Sequence, residues 1–215
     1  MQSRVKKLVL MAVLAAAAFV MVALVRIPAV LFLKYEPKDV VITIGGFLLG
    51  PTASLIISAV VSLIEMVTIS ETGPIGALMN LLSTCSFACT AAIIYKKKHT
   101  IWGAVWGLLA GTVTMIGVML LWNWLITPLY MAGTSRADVA AMLIPVFLPF
   151  NALKAGLNSA LILGLYKPLT VALRKTRLLP EKPSSGKKAK PGIYIFAAAL
   201  LVTCIMLLLV MNGVI

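Results

Sequence analysis

The sequence predicts an all-α integral membrane protein: a six-helix bundle followed by an appended C-terminal transmembrane helix. Three observations predict it. The 215 residues are 61% hydrophobic and 12% charged, far more apolar than a soluble domain. The apolar residues fall in runs long enough to span a bilayer, separated by short polar stretches. The charge is asymmetric. The net charge is +13, with basic clusters at one set of helix ends and acids at the other, which is a topology signal. So high an apolar fraction argues against nucleic acid as the reason for the positive charge.

Taken in order, a basic start (Arg4, Lys6, Lys7) precedes a first helix over about Leu8–Val25. The run is longer than a signal-peptide core and no small-residue cleavage pattern follows, so it is read as retained, with its N-terminus cytoplasmic. Ala12 and Ala16 form a small-residue pair on one face, suited either to internal packing or to contact with a second protein. Residues 26–38 form a loop, because Pro28 and Pro37 discourage a continuous helix. It is apolar and then charged, as befits a lid over a cavity or a passive interfacial segment.

Val40–Ile64 is broken at Gly50-Pro51. If it crossed once, the cluster Lys96-Lys97-Lys98-His99 would fall outside. The positive-inside rule therefore favours two short helices, Asp39–Leu49 and Thr52–Val67. The first is too short to cross alone, since a span needs about 20 residues. A fourth helix covers about Pro74–Tyr95 and a fifth about Ile101–Leu125, with Gly103, Gly107 and Gly111 giving a smooth stripe for close packing. The sixth covers about Leu143–Leu173. Residues 1–175 thus make the membrane domain, 176–192 a basic cytoplasmic linker, and 193–215 a further transmembrane helix with almost no polar residues, read as an anchor outside any site.

The polar residues that topology leaves unexplained are Asp39, Thr43, Glu65, Asn80, Asn123, Asn151, Lys154 and Asn158. Most belong to the outer half, which predicts a cavity open to the exterior. Asn151, Lys154 and Asn158 share one helical face by their spacing. An ammonium at that depth costs about 3 kcal/mol or more unless something polar meets it. Its partner is expected to be Asn151, Asn158, a backbone carbonyl or a ligand. Glu65 is a candidate coupling-proton group, although its near-interface position favours a solvated acid.

No catalytic triad, paired-carboxylate motif, metal-ligand cluster or P-loop occurs in the chain, which argues against an enzyme, a metal centre or its own ATP site. Cys85, Cys89 and Cys204 read as small buried apolar residues. A substrate-binding membrane protein, energised by partners, fits best.

Four segments carry a family resemblance: Leu33-Lys34-Tyr35-Glu36-Pro37-Lys38-Asp39, Gly45-Gly46-Phe47-Leu48-Leu49-Gly50-Pro51, Glu71-Thr72-Gly73-Pro74-Ile75-Gly76-Ala77-Leu78-Met79-Asn80, and Pro149-Phe150-Asn151-Ala152-Leu153-Lys154-Ala155-Gly156. In this order they resemble the substrate-specific S components of energy-coupling factor (ECF) transporters, and among those the riboflavin-binding, RibU-type members, over about Leu8–Leu173. The resemblance implies six core helices, an outward cavity and a lid between the first two helices. It also implies a transmembrane T component and two cytoplasmic ATPases as partners in the cell membrane. The Ala12/Ala16 pair matches the helix-1 patch that contacts the T component. Riboflavin is implied as transported ligand and no cofactor is implied.

The residues expected to meet a flavin are Asp39, Thr43, Gly76, Asn80, Asn123, Asn151 and Lys154. Lys154 can donate to a carbonyl or hydroxyl, and the asparagines can donate and accept. Asp39 can accept from ligand hydroxyls or cap the second helix, with Thr43 one turn away on the same face. Asn80 can bond the ligand or the Gly-rich turn before it. Gly73 and Gly76 let backbone approach a flat ring. An S component for another vitamin, a stand-alone proton-coupled carrier using Glu65, and an assembly protein without ligand are the alternatives.

Overall fold

Among the described residues, seven long or half-length helices pack into a bundle and a small β-hairpin lies at one end of it. The computed structural model describes residues 4–30, 33–70, 73–131, 133–175 and 191–211. In chain order they form α1 (Arg4–Leu24), β1 (Ile27–Val30), β2 (Leu33–Tyr35), α2 (Lys38–Leu49), α3 (Pro51–Thr68), α4 (Gly73–Lys98), α5 (Ile101–Tyr130), α6 (Arg136–Met142), a π-helical turn Leu143–Phe147, α7 (Leu148–Lys175) and α8 (Pro191–Met211). Among the described residues, six spans are long and apolar enough to cross a membrane: α1, α3, α4, α5, the α6–α7 run and α8. The expected linker falls mostly outside the described residues, as do Glu71 and Thr72 of the third motif.

The break at Gly50-Pro51 separates α2 from α3 as expected. Gly50 has φ 102°, a left-handed value that suits glycine, and Pro51 opens α3 where its missing N–H costs nothing. The segment before α2 differs from the expected loop. It is an antiparallel hairpin pairing Ile27 with Tyr35 and Pro28 with Lys34, with an irregularity between Pro28 and Val30. Pro28 cannot donate to a ladder, which is tolerable only at a short exposed edge.

Two packing contacts set the depth of α2. Phe47 stacks on Tyr95 at 4.4 Å, one turn from the Lys96–Lys98 cluster. Asp39, at the other end of α2, bonds Thr84 of the same α4. Those α4 positions are about 16 Å apart by helical rise. α2 therefore runs from mid-depth to the basic end, and the hairpin fills the half of the bundle above it. The polypeptide crosses by combining hairpin and half-helix, which explains why a 12-residue helix suffices.

Glycines set the close approaches. A Cβ on Gly107 would meet the Ala91 carbonyl oxygen at 2.7 Å, and one on Gly111 the Phe87 carbonyl oxygen at 2.6 Å. The glycine stripe of α5 thus lies directly on the backbone of α4. α5 continues beyond Leu125 to Tyr130, because Pro128 near its end removes only one ladder bond. The sixth helix begins earlier than expected, at Arg136, behind a capping box between Ser135 and Asp138. Its ladder widens into the π-turn next to Pro145 and Pro149, which lack backbone donors. The basic ends of α4, α7 and α8 meet in a cluster of Phe47, Tyr95, Tyr166, Ile193 and Ala197.

α8 does more than anchor. Leu200, Leu201, Cys204 and Leu208 pack on Tyr35, Leu153 and Leu157, so the helix lies along the back of α7 and reaches the hairpin. Ala12 and Ala16 of α1 stay exposed, whereas Ala15 and Ala18 are buried. Within the described residues the Ala12/Ala16 face is not covered by the fold.

Candidate functional site

Beneath the hairpin lies a cavity of about 80 Å³, lined by polar Arg26, Lys34, Glu36, Ser70, Asn80, Ser83, Asn151 and Lys154 and by apolar Leu33, Met79, Met119 and Phe150. Arg26, Leu33, Lys34 and Glu36 come from the end of α1 and the hairpin, so the roof is the segment between the first two helices. The floor comes from α4, α5 and α7.

Two buried polar networks hold it. The first is centred on Asp39. Its Oδ2 lies 3.1 Å from Lys154 Nζ and accepts from Asn158 Nδ2 at 3.3 Å. Its Oδ1 accepts from the Thr84 hydroxyl at 2.6 Å. Lys154 also donates to Ser83 Oγ at 3.3 Å, and Tyr35 donates to Asn158 Oδ1 at 3.0 Å. The sequence placed Lys154 against Asn151, Asn158, a carbonyl or a ligand; the structure gives it a carboxylate. The physical reason is that an ammonium and a carboxylate buried together cost far less than either alone. Asp39 does not cap α2, whose N-cap is Pro37 without a side-chain bond. It sits in the first turn, where the helix dipole favours its charge.

The second network links five segments. Arg26 Nε lies 3.2 Å from Glu36 Oε1, Lys38 Nζ lies 2.8 Å from Glu36 Oε2 and 2.5 Å from Glu65 Oε2. Asn80 Nδ2 donates to the same Glu65 oxygen at 3.1 Å. Arg26 also donates to the Ile69 carbonyl. Glu65 is 1% exposed, which corrects its reading as a solvated acid. Asn80 bonds Glu65, where the sequence suggested a ligand or the Gly-rich turn.

Of the seven expected ligand residues, Asn80, Asn151 and Lys154 line the cavity, and Asp39 braces Lys154 from behind. Thr43 is buried and spends its hydroxyl on the Asp39 carbonyl. Asn123 is buried, donating to the Met119 carbonyl and accepting from Thr127. Gly76 is buried in the first turn of α4. Asn151 donates through Nδ2 to the Phe147 carbonyl. Sequence reasoning missed Lys38 and Glu36, which looked like solvated loop charges, and Ser83, Thr84 and Tyr35. A lysine between two acids (Glu36, Lys38, Asp39) was the available signal for the ion pairs.

The arrangement offers hydrogen-bond donors and acceptors beside thioether and aromatic surface, in a pocket lined by the cations Arg26, Lys34 and Lys154; Arg26 pairs with Glu36 and Lys154 with Asp39 behind the wall. That chemistry is suited to binding and orienting a polar molecule.

A sequence model of the family described as "ECF transporter, substrate-specific component" matches residues 6–166. The chain is 29% identical over 178 residues to "Riboflavin transporter RibU" of Staphylococcus aureus (strain TCH60), covering 79% of this chain and 93% of that protein. It is 28% identical over 161 residues to "Riboflavin transporter FmnP" of Bacillus subtilis (strain 168), covering 70% and 85%. It superimposes with TM-score 0.66, at 29% identity, on a solved structure described as "Structure and mechanism of the S component of a bacterial ECF transporter", covering 80% of this chain and 99% of that one.

Proposed function

The chain belongs to the substrate-specific component family of ECF transporters, and from that membership we propose that it captures riboflavin from outside the cell for import by an ATP-driven partner module. The observation that carries the reading is the juxtaposition of Asn80, Asn151 and Lys154 with Met79, Met119 and Phe150 around one cavity. A flavin has a flat ring for the apolar wall, an edge with both acceptors and a donor, and a hydroxylated chain. The names of two relatives that share most of their length with this chain point to the same ligand. Mutual pairing of the buried charges leaves hydrogen bonding as the dominant chemistry of the floor, which suits an uncharged vitamin; Lys34 adds a positive charge among the roof residues.

The cavity is smaller than the roughly 300–1,000 Å³ of small-molecule pockets. Entry of a tricyclic ring therefore requires the hairpin to move outward. In the direction set by the basic clusters, the hairpin end is exterior and the N-terminus cytoplasmic. The chain contains no P-loop, so a T component and two ATPases supply the energy, with the exposed Ala12/Ala16 face of α1 as the contact surface.

The test is optical. Purified protein mixed with riboflavin should quench its fluorescence with saturable stoichiometry and turn yellow. No quenching by riboflavin, together with tight binding of a different vitamin, would reassign the substrate within the family. A second reading has one observation in its favour: Glu65 Oε1 is buried with no hydrogen-bond partner among the described residues, as a proton-accepting site would be. Vesicles containing this chain alone should bind vitamin without accumulating it. Accumulation driven by a pH gradient and lost in Glu65→Gln would establish the proton-coupled carrier instead.

A further inference from the structure

α8 lies beyond the residues 6–166 that the family shares, yet it packs on the part of the fold that carries the site. Gly156 of α7 faces it, and a Cβ there would stand 2.7 Å from Cys204 Sγ. Cys204 is 7% exposed and sits with Leu153 and Leu157, the α7 residues that flank Lys154 and Asn158 in sequence, and with Tyr35 of the hairpin. Leu208, one turn further on, packs against that cluster and also against the cluster of Ala29, Leu33, Phe147 and Phe150. The hairpin segment is therefore held from two sides: by the ion pairs of Glu36 on the cavity side, and by α8 against Tyr35 on the outside.

The polar groups of α8 do not contribute to this contact. Its Thr203 hydroxyl bonds its own Ala199 carbonyl, and Ile195, Phe196, Val202 and Val210 face outward. What α8 offers the site is shape. Its contact with Tyr35 continues through Asn158 to Asp39 and Lys154.

We propose that α8 is a positioning element for the binding site: Cys204 and Leu208 hold the hairpin against α7 and so slow ligand release. Neither residue touches the ligand; both act through Tyr35 and the hairpin. The ligand arm of this proposal rests on the riboflavin reading, whereas the docking and hairpin arms do not.

Three measurements test it in the full chain. In a Cys85→Ala, Cys89→Ala background, Gly156→Cys places a thiol beside native Cys204, within disulfide reach. Oxidation in membranes should remove both thiols from maleimide labelling within a monomer. Leu208→Ala should speed amide hydrogen exchange across residues 27–35 and raise the riboflavin dissociation rate about five- to tenfold, with the association rate and unfolding temperature nearly unchanged. Leu208→Met should restore the parent rate, because methionine refills the gap, and Leu207→Ala, on the exposed side of α8, should do nothing. Absence of the cross-link, or Leu208→Ala leaving hairpin exchange at the parent rate, overturns the proposal. Equal effects of Leu208→Ala and Leu207→Ala on dissociation overturn it too. Failure of the parent to bind riboflavin would sink the functional reading alone, because cross-linking and hairpin exchange would still decide this one.

Discussion

Lys154 of α7 and Asp39 of α2 meet as a salt bridge of 3.1 Å, with side chains 6% and 0% exposed. Both lie near the middle of the bundle, and each needs the other. Asp39 has Thr84 and Asn158 as further donors, whereas Lys154 has Ser83. The pair thus fixes α2 to α7 and aims the ammonium along the cavity floor.

Removing one partner should be worse than removing both. Lys154→Met leaves the Asp39 carboxylate short of a countercharge, and breaking a buried pair costs about 3–5 kcal/mol. The unfolding temperature should fall clearly in Lys154→Met and recover most of the way in Asp39→Asn/Lys154→Met. Riboflavin affinity should stay weakened by about one to two decades in both, since each lacks the donor. Recovery of affinity in the double variant would remove Lys154 from the ligand's partners.

Tyr35→Phe deletes only a hydroxyl. It breaks the bond to Asn158 Oδ1 while keeping the ring against Leu153, Leu157 and Cys204. A neutral hydrogen bond contributes about 0.5–1.5 kcal/mol, so riboflavin should leave roughly two- to tenfold faster in stopped-flow fluorescence. Unchanged release kinetics would show that the Tyr35–Asn158 hydrogen bond does not hold the hairpin.

Ala12→Leu with Ala16→Leu changes an exposed face. Thermal stability and riboflavin binding should match the parent, because surface substitutions away from special features usually stay within about 0.5 kcal/mol. Copurification with the T component should fall. A destabilised protein would mean instead that the face packs inside an assembly of this chain.

Gly107→Val should be among the most damaging single changes outside the site. Its side chain would run into the Ala91 carbonyl, forcing α5 away from α4 at a cost of about 1–3 kcal/mol or more. Gly117→Val, where among the described residues no atom beyond its own stretch of helix lies within 4 Å of an added Cβ, is the control and should unfold at nearly the parent temperature.

The sequence by itself determined the membrane class, the helices and the split at Gly50-Pro51, because hydropathy, proline chemistry and charge asymmetry are local or additive properties. It also determined that the polar row Asn151, Lys154 and Asn158 would lie inside, since lipid has no partner for an ammonium. A close-packing face on α5 was readable from Gly103, Gly107 and Gly111, because spacing on one helix fixes a face; that α4 is what packs there was not.

Only the tertiary structure decided which groups meet. Glu65 looked like a near-interface acid and Lys38 like a charge of the loop, yet the half-length α2 starts inside the bundle, where its first residue Lys38 pairs with Glu65 of α3 and both are buried. Asp39 could have capped its helix or met a ligand, until α4 and α7 surrounded it with Thr84, Asn158 and Lys154. Asn123 and Thr43 looked like ligand residues from their polarity, but a buried asparagine or threonine on a helix can satisfy itself on its own backbone. α8, the least polar segment, gave no sign of reaching the hairpin, because packing depends on complementary surfaces brought together across the chain and leaves no local signature.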